Sequence, residues 1–195
     1  MRAAVRLILQ PLLLSIVLAL VVRATLLNIY AVPSPSMSPT LRTGDHIIVT
    51  PYRLPFPDTT PARGDVIVFH SPQNPDELMV KRVIGGPGDV VESRNGRVSI
   101  RGHALAEPYI VRETITGPIE PQIVPADCFF VMGDNRGDSF DSRSWGTLSR
   151  SMVVGRVRMV LWSAEEPGET RPATTSPDRR GGGAGALDRL FMVVH

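Results

Sequence analysis

The sequence predicts a mainly β protein, in which a compact antiparallel β domain follows one N-terminal transmembrane helix. No segment after residue 40 shows sustained helical periodicity, and short β-branched runs bounded by Gly, Pro and Asp recur instead. The helix is predicted because residues 7–22 are sixteen consecutive uncharged positions. Pro and Gly make up about 18% of the 195 residues, below the range of low-complexity chains, so a packed core is expected.

The N-terminal element is predicted to anchor the chain in the cell membrane over residues 7–27, as a single pass. A helix needs about 20 mostly apolar residues to cross the hydrocarbon core, so Arg6 and Arg23 would extend to the two interfaces. The basic residues Arg2 and Arg6 favour a cytoplasmic location for residues 1–6 and an extracytoplasmic one for the domain. A cleavable signal peptide fits the same pattern and differs only in leaving the domain unanchored.

Residues 28–163 are predicted to form the β domain. Asn95-Gly96 separates two of its strands and is typical of a two-residue hairpin, because both positions favour positive φ. Residues 101–126 carry several prolines and are predicted to be a loop-rich small cap. The predicted strands are His46–Val49, Asp65–His70, Leu78–Ile84, Asp89–Ser93, Val98–Ile100, Cys128–Met132 and Val153–Trp162.

The last segment, residues 164–195, is predicted to be a disordered tail. It is rich in Pro, Gly, Thr and charged residues up to residue 186, a composition that buries too little apolar surface to offset the entropy of ordering. The apolar run over 190–194 is far too short to cross a bilayer. No function is predicted for this tail.

Composition excludes several classes of function. The net charge is +2 without a long basic run, so no nucleic-acid partner is expected. The single cysteine, Cys128, cannot form an internal disulfide, and the four histidines never occur at metal-ligand spacing. No glycine loop of the phosphate-binding kind is present either. The sequence therefore predicts neither a metal nor any other cofactor.

Ser36 lies in a segment where serines alternate with prolines, directly after the predicted anchor. The three prolines restrict φ and remove backbone donors, which makes the segment stiff. A fixed hydroxyl becomes a nucleophile only when a nearby base takes its proton. Composition alone also allows a proline-rich linker.

Lys81 is the only lysine among 21 basic residues. On the predicted strand it shares a face with Met79 and Val83, so its amine is expected to point inward or into a cleft. Burial disfavours the ammonium form and lowers a lysine pKa toward neutrality, which makes the amine a usable base. A solvated edge-strand charge in a chain that prefers arginine is the alternative.

A third cluster, residues 132–146, alternates Asp and Arg among turn-forming residues. Asp141 and Arg143 are positioned for a charge-assisted pair, and Ser139 offers a hydroxyl for a hydrogen bond at a site elsewhere. A purely structural turn is the alternative interpretation of this cluster.

In chain order, these segments resemble the motifs of bacterial type I signal peptidases, a family of Ser/Lys serine proteases. The similarity spans about residues 15–163, and the departures from the pattern remove no catalytic atom. The matching motifs are Pro33-Ser34-Pro35-Ser36-Met37 with Pro39-Thr40-Leu41, Gly44-Asp45, Arg63-Gly64-Asp65 with Lys81-Arg82-Val83 and Gly85-Gly86-Pro87-Gly88-Asp89, and Gly133-Asp134-Asn135-Arg136 with Ser139, Asp141, Ser142 and Arg143.

The resemblance implies a role for each matching polar residue. Ser36 would attack the scissile carbonyl, and Lys81 as a neutral amine would accept its proton. Ser139 would orient the Lys81 amine by a hydrogen bond. Ser34 would help the Ser36 backbone N–H to stabilise the oxyanion. Asp141 and Arg143 would brace the last motif.

The resemblance also implies the substrate, a signal peptide of an exported preprotein bound as an extended strand. Small residues such as Ala would occupy shallow pockets at its −1 and −3 positions. The bulk of Phe140, where some relatives carry a small residue, affects the size of these pockets. The implied pocket residues are Val32, Pro33, Met37, Leu41, Met79, Val80 and Phe140.

The expected protein is thus a monomeric, membrane-anchored serine endopeptidase that removes N-terminal signal peptides, with the lipid bilayer as its second partner and no cofactor. A Ser/Lys peptidase dedicated to one substrate, such as a conjugative pilin, has the same residues. A non-catalytic anchored β scaffold that binds exported peptides is a further alternative. A Ser/His/Asp hydrolase would need a histidine beside Ser36, and no nucleophile-elbow motif supports one.

Overall fold

The computed structural model describes residues 9–15, 28–52, 60–111, 115–163 and 192–194, and twelve strands lie in them. The 3₁₀ turns Pro35–Met37 and Arg150–Met152 and the short helix Ser142–Trp145 connect some of these strands. The strands are β1 (Asn28–Ala31), β2 (Asp45–Thr50), β3 (Val66–His70), β4 (Leu78–Gly85), β5 (Val90–Arg94), β6 (Arg97–Ile100), β7 (His103–Ala104), β8 (Ile119–Ile123), β9 (Cys128–Met132), β10 (Leu148–Ser149), β11 (Val153–Ser163) and β12 (Met192–Val193).

The strands form two antiparallel sheets, which confirms the predicted mainly β class. The large sheet has the order β1-β2-β11-β3-β4-β9-β10, with β12 also paired to β11. The small sheet has the order β7-β6-β5-β8. Strand β4 carries Lys81 in the middle of the large sheet, and Gly85 at its end packs against Val91 of β5 in the small sheet.

All seven predicted strands are confirmed to within about two residues at each end. The predicted hairpin is also confirmed, because Arg94 pairs with Arg97 across a turn in which Asn95 and Gly96 have φ of 51° and 78°. Strand β1, which is not among the predicted strands, pairs with β2 from Asn28 to Ala31.

The prediction of a loop-rich cap over residues 101–126 is wrong in part, because this region contributes β7 and β8 to the small sheet. Strand β8 includes Pro121, which lacks a backbone N–H. It lies at the edge of the sheet, where a strand tolerates a missing donor. The strand was not predicted because a proline in the sequence argues against a strand.

Three buried clusters form the core, and alternation along the strands separates them. On β3, Val66 and Val68 belong to core cluster 1, whereas Ile67 and Phe69 belong to core cluster 3 on the opposite face. Core cluster 2 joins the small sheet to the ends of β4 and β9. Cluster 1 contains Val32, Met37, Leu41, Ile47, Val49, Val66, Val68, Val80, Val157, Val160 and Val194; cluster 2 contains Ile84, Val91, Val98, Ile100, Ile119, Val124, Phe130 and Met132; cluster 3 contains Ile67, Phe69, Val83, Phe129, Val131 and Leu148.

Most of the predicted anchor over residues 7–27 lies outside the described residues. Within it, residues 9–15 are helical and their side chains are exposed. Across the described part of the chain, no helix has the length and apolar character needed to span a membrane.

The prediction of a disordered tail is wrong for residues 192–194. Met192 and Val193 pair with Val160 and Met159 of β11, and the Val194 N–H donates to the carbonyl of Arg158 at 3.1 Å. Burial of Val194 in core cluster 1 accounts for this docking, because the apolar end of the tail finds a hydrophobic surface. Residues 164–191 lie outside the described part.

Candidate active site

A 3₁₀ turn holds Ser36 in a fixed position. Ser34 is extended, and Pro35 follows at the first position of the turn, where its fixed φ suits the helical conformation. The Ser38 N–H closes the turn on the Pro35 carbonyl at 2.9 Å. Ser36 and Met37 are buried, so the local sequence places the hydroxyl inside the domain rather than on a mobile linker.

The structure brings Ser36 and Lys81 together from positions 45 residues apart. The Lys81 Nζ donates to Ser36 Oγ at 2.8 Å and to the carbonyl oxygen of Val80 at 3.0 Å. Lys81 is only 3% exposed, which means that the amine reaches the serine without competition from bulk water. This is the separation at which a base takes a hydroxyl proton directly.

The environment of Lys81 favours its neutral form. Burial lowers the pKa of this lysine from 10.5 to about 8, against the opposing attraction of Asp141 and Glu77. About half of the amine is therefore unprotonated at pH 8.

Ser34 lies beside the hydroxyl of Ser36. The two Oγ atoms are 3.1 Å apart, and Ser34 is only partly buried. Its hydroxyl is thus next to the point where a carbonyl carbon attacked by Ser36 would be bound.

The predicted hydrogen bond between Ser139 and Lys81 is not formed. The Lys81 amine has the Val80 carbonyl as its second partner instead. The Ser139 Oγ is shielded from solvent, packs against Gly133 and stabilises the charged form of the Asp141 carboxylate instead.

Asp141 and Arg143 form a partly buried ion pair that braces the loop between β9 and the short helix. Arg143 donates from Nε and from a terminal nitrogen to the two carboxylate oxygens at 2.8 and 2.7 Å. It also donates to the carbonyls of Arg136 and Ser139 at 2.7 and 3.2 Å. Burial alone would raise the pKa of Asp141, but the bonds from Arg143 and from the Gly133 N–H hold it below its ordinary value.

The loop after β9 also contacts the turn that carries Ser36, which the sequence analysis missed. The Asn135 N–H donates to the Ser36 carbonyl at 3.1 Å, and its side-chain amide donates to the Pro35 carbonyl at 3.3 Å. Gly133 packs so closely against the Ser36 carbonyl that a Cβ at this position would overlap with it. Gly133 and Asn135 both belong to the last matched motif, but their position in the sequence does not indicate that they contact the turn of Ser36.

A buried ion pair between Arg82 and Asp134 was also missed. Arg82 donates to both carboxylate oxygens at 2.9 and 2.8 Å, and to the Gly64 carbonyl at 2.7 Å. The Thr40 hydroxyl donates to the same carboxylate at 2.6 Å. This network joins the strand of Lys81, the segment after Ser36 and the loop after β9. The sequence feature that indicates such a pair is the presence of Arg82 within the apolar run of β4.

The predicted pocket residues divide into three groups. Val32, Met37, Leu41 and Val80 are buried together in core cluster 1. Met79 is half-buried and packs against core cluster 3, which does not include those four.

The remaining two pocket residues, Pro33 and Phe140, are exposed, Phe140 to 47%. Only the first group therefore lies in one apolar cluster, whose surface at Val32 and Val80 is 3% and 8% exposed.

The edge of β4 near this surface is open. On one side, β4 pairs with β3 from Leu78 to Arg82. On the other side it pairs with β9 only from Arg82 onward, so residues 78–81 have no strand partner there among the described residues. An open strand edge beside an apolar surface suits an extended peptide.

Comparisons with known proteins identify one peptidase family. The family model "Signal peptidase, peptidase S26" matches residues 5–162. Signal peptidase I of Leptolyngbya laminosa is 42% identical over 166 residues, covering 82% of this chain and 80% of that protein. A probable signal peptidase I of Synechocystis is 36% identical, covering 86% of this chain and 88% of that protein. The crystal structure of a signal peptidase I from Enterococcus faecalis has 34% identity and a TM-score of 0.45, covering 50% of this chain and 96% of that one.

Proposed function

Because the chain belongs to the signal peptidase S26 family, it is a serine endopeptidase, and we propose that Ser36 and Lys81 carry its chemistry as nucleophile and general base. The observation that carries this proposal is the 2.8 Å contact between Lys81 Nζ and Ser36 Oγ in a buried setting. Its substrates are N-terminal signal peptides of exported preproteins.

Acylation begins when the neutral amine of Lys81 accepts the hydroxyl proton of Ser36. The Oγ then bonds to the scissile carbonyl carbon, and the carbonyl oxygen becomes an oxyanion. The Lys81 ammonium returns the proton to the leaving amine, which releases the mature protein and leaves the signal peptide as an ester on Ser36. The amine then deprotonates a water molecule, whose oxygen attacks the ester carbonyl. The Lys81 ammonium returns this proton to Ser36 Oγ as the ester bond breaks, and the signal peptide leaves with a free carboxylate.

The surroundings of the dyad support these steps. The Val80 carbonyl orients the Lys81 amine, since it accepts a hydrogen bond from Nζ at 3.0 Å. The Ser34 hydroxyl and the Ser36 backbone N–H donate to the oxyanion. A placed donor of this kind contributes about 10²–10³-fold to kcat in other enzymes.

The substrate lies as an added strand along residues 78–81 of β4. Its −1 and −3 side chains pack over Val32 and Val80, and Met37 and Leu41 lie beneath these two with no exposed area. Because these four side chains are packed in the core, they leave room only for small residues.

Residues 7–27 anchor the enzyme in the membrane, with residues 28–163 outside the cytoplasm. Ser36 follows Asn28, the first residue of β1, by eight positions, so it lies within about 26 Å of the end of the anchor along the chain. Anchoring therefore keeps the site near the surface where a translocated signal peptide emerges. All proposed catalytic groups come from one chain, so a single copy is sufficient for the reaction.

A cleavage assay tests the proposed function. The detergent-purified chain should cleave an exported preprotein after the −1 Ala of an Ala-x-Ala site, as mapped by the new N-terminus of the product. The Ser36→Ala variant should lose at least about 10⁴-fold in kcat/KM, because the nucleophilic oxygen is gone. Ser38→Ala is the matched control, since Ser38 lies in the same segment and only its backbone N–H holds the turn.

Retained cleavage by Ser36→Ala would contradict the assignment of the nucleophile. Cleavage of a single preprotein out of a broad set would indicate a dedicated maturation peptidase, and binding without cleavage by the wild type would indicate a scaffold.

The pH dependence of kcat/KM should report the titration of Lys81. With a pKa of about 8 and activity carried by the neutral amine, kcat/KM should rise about tenfold per pH unit below pH 8 and level off above it. In the pH profile of kcat, the rise should lie at a lower pH than in the profile of kcat/KM. The reason is that a bound peptide removes further water from the Lys81 amine and so lowers its pKa. A limb centred near pH 6.5 would point to a histidine as the base.

A further inference from the structure

The cap, residues 101–126, contacts the loop after β9 through the buried side chain of Arg136. The side chain of Arg136 is fully shielded from solvent, and that of its partner Glu107 is 7% exposed. Arg136 donates to one carboxylate oxygen of Glu107 at 3.2 Å and more closely to the other, and it donates to the Thr116 hydroxyl at 2.8 Å. Glu107 and Thr116 both belong to the cap, whereas Arg136 belongs to the loop after β9.

The same arginine holds the backbone beside the nucleophile. Its Nε donates to the Gly133 carbonyl at 3.1 Å, and its own carbonyl accepts from Arg143 at 2.7 Å. Gly133 packs against the Ser36 carbonyl, and the Asn135 N–H donates to that carbonyl. A continuous series of contacts therefore leads from Glu107 through Arg136 to the turn of Ser36.

We propose that Glu107 is a positioning residue for Ser36, acting through Arg136 on the loop of residues 133–139. The inference rests on the proposed function, because it assigns the cap a part in the Ser36 reaction. The electrostatic reason is that a buried guanidinium requires a compensating charge. Without the carboxylate, Arg136 turns toward water or another acceptor and releases the Gly133 carbonyl. The loop then no longer fixes the carbonyl of Ser36.

Release of the Gly133 carbonyl by Arg136 should lower kcat. A misplacement of about 1 Å at a reacting group costs about 10²-fold in rate. The proposed peptide-binding edge of β4 and the apolar surface beside it do not include Glu107, so KM changes little. The burial of Lys81 also stays the same, so the pH profile of kcat/KM moves down without a shift of its midpoint.

The test compares Glu107→Ala, Glu107→Gln and Glu120→Ala in the full chain with the Ala-x-Ala preprotein. Glu120 is the matched control, since it is an exposed glutamate of β8 in the same cap. Glu107→Ala should lower kcat by about 10–100-fold, with KM within threefold of wild type. Glu107→Gln keeps the length and one acceptor oxygen but removes the compensating charge, so its kcat should lie between that of Glu107→Ala and that of the wild type. Glu120→Ala should match the wild type.

All rates are measured well below the unfolding temperature, so that a loss of stability does not register as a loss of kcat. If Glu107→Ala does not fold, Glu107→Gln decides: a reduced kcat in the folded protein supports the inference, and an unchanged kcat overturns it. Wild-type kcat in folded Glu107→Ala overturns it as well. These outcomes differ from failure of the proposed function, in which the wild-type chain itself does not cleave at the expected bond.

Discussion

A Lys81→Arg variant should lose at least about 10⁴-fold of kcat/KM while keeping its fold. Arginine preserves the positive charge, but the pKa of its guanidinium lies far above any working pH, so the group stays protonated. The variant therefore has no group to accept the Ser36 proton. The lysine amine does so because burial lowers its pKa to about 8. Initial rates of preprotein cleavage at pH 8 and pH 9 measure the difference.

The control for this variant is Lys81→Met, which keeps the length and volume of the side chain and removes both amine and charge. Lys81 is 3% exposed, so an apolar replacement removes the desolvation cost of the ammonium and should leave the thermal midpoint unchanged or raised. Loss of cleavage in a Lys81→Met protein of undiminished stability assigns the loss to the amine. Cleavage by Lys81→Arg above 1% of the wild-type rate would contradict the lysine-base mechanism.

Local sequence pattern predicted much of the large sheet. Strands β3, β4 and β9 are dense in Val, Ile and Phe, and their pattern is determined by burial on both faces of the sheet. The hairpin at Asn95-Gly96 was predictable because the turn needs positive φ at both positions.

The missed strands depend on contacts that are distant in sequence. Strand β1 follows an apolar run, so its own pattern merges with that of the predicted anchor. Strand β8 contains a proline and is held only at one edge by β5. Strand β12 has two residues and forms because β11 offers a partner, which no local pattern reveals.

For the active site, residue chemistry identified Ser36 and Lys81 as candidates, and the motif resemblance paired them. Neither predicts a distance, because the two residues are 45 positions apart and meet only through the packing of β4 against the turn. Arg82 and Asp134 likewise are distant in sequence and meet only in the folded chain. Each residue is charged and falls among apolar or turn-forming neighbours, and only the fold shows that they neutralise each other.

Gly133→Ala should lower kcat by about 10²-fold or more, through crowding of the nucleophile. A Cβ at this position would lie 2.6 Å from the Cβ of Ser139, and closer still to its Oγ and to the Ser36 carbonyl oxygen. Relief of this overlap requires the loop after β9 or the turn of Ser36 to move, since the backbone carbonyl cannot rotate away alone. Overpacking of this kind costs about 1–3 kcal/mol of stability, and the shift of the nucleophile costs rate in addition.

Gly137→Ala is the matched control, because it lies in the same loop with no atom within 4 Å of an added Cβ. It should change stability by less than about 0.5 kcal/mol and leave kcat within twofold of wild type. Single-turnover cleavage at a temperature where both variants are folded separates a misplaced nucleophile from a smaller folded fraction. A wild-type kcat in folded Gly133→Ala would show that the loop yields to the methyl group while Ser36 stays in place. The position of Ser36 would then depend on the proline-restricted turn alone, and contact with residues 133–135 would be incidental to catalysis.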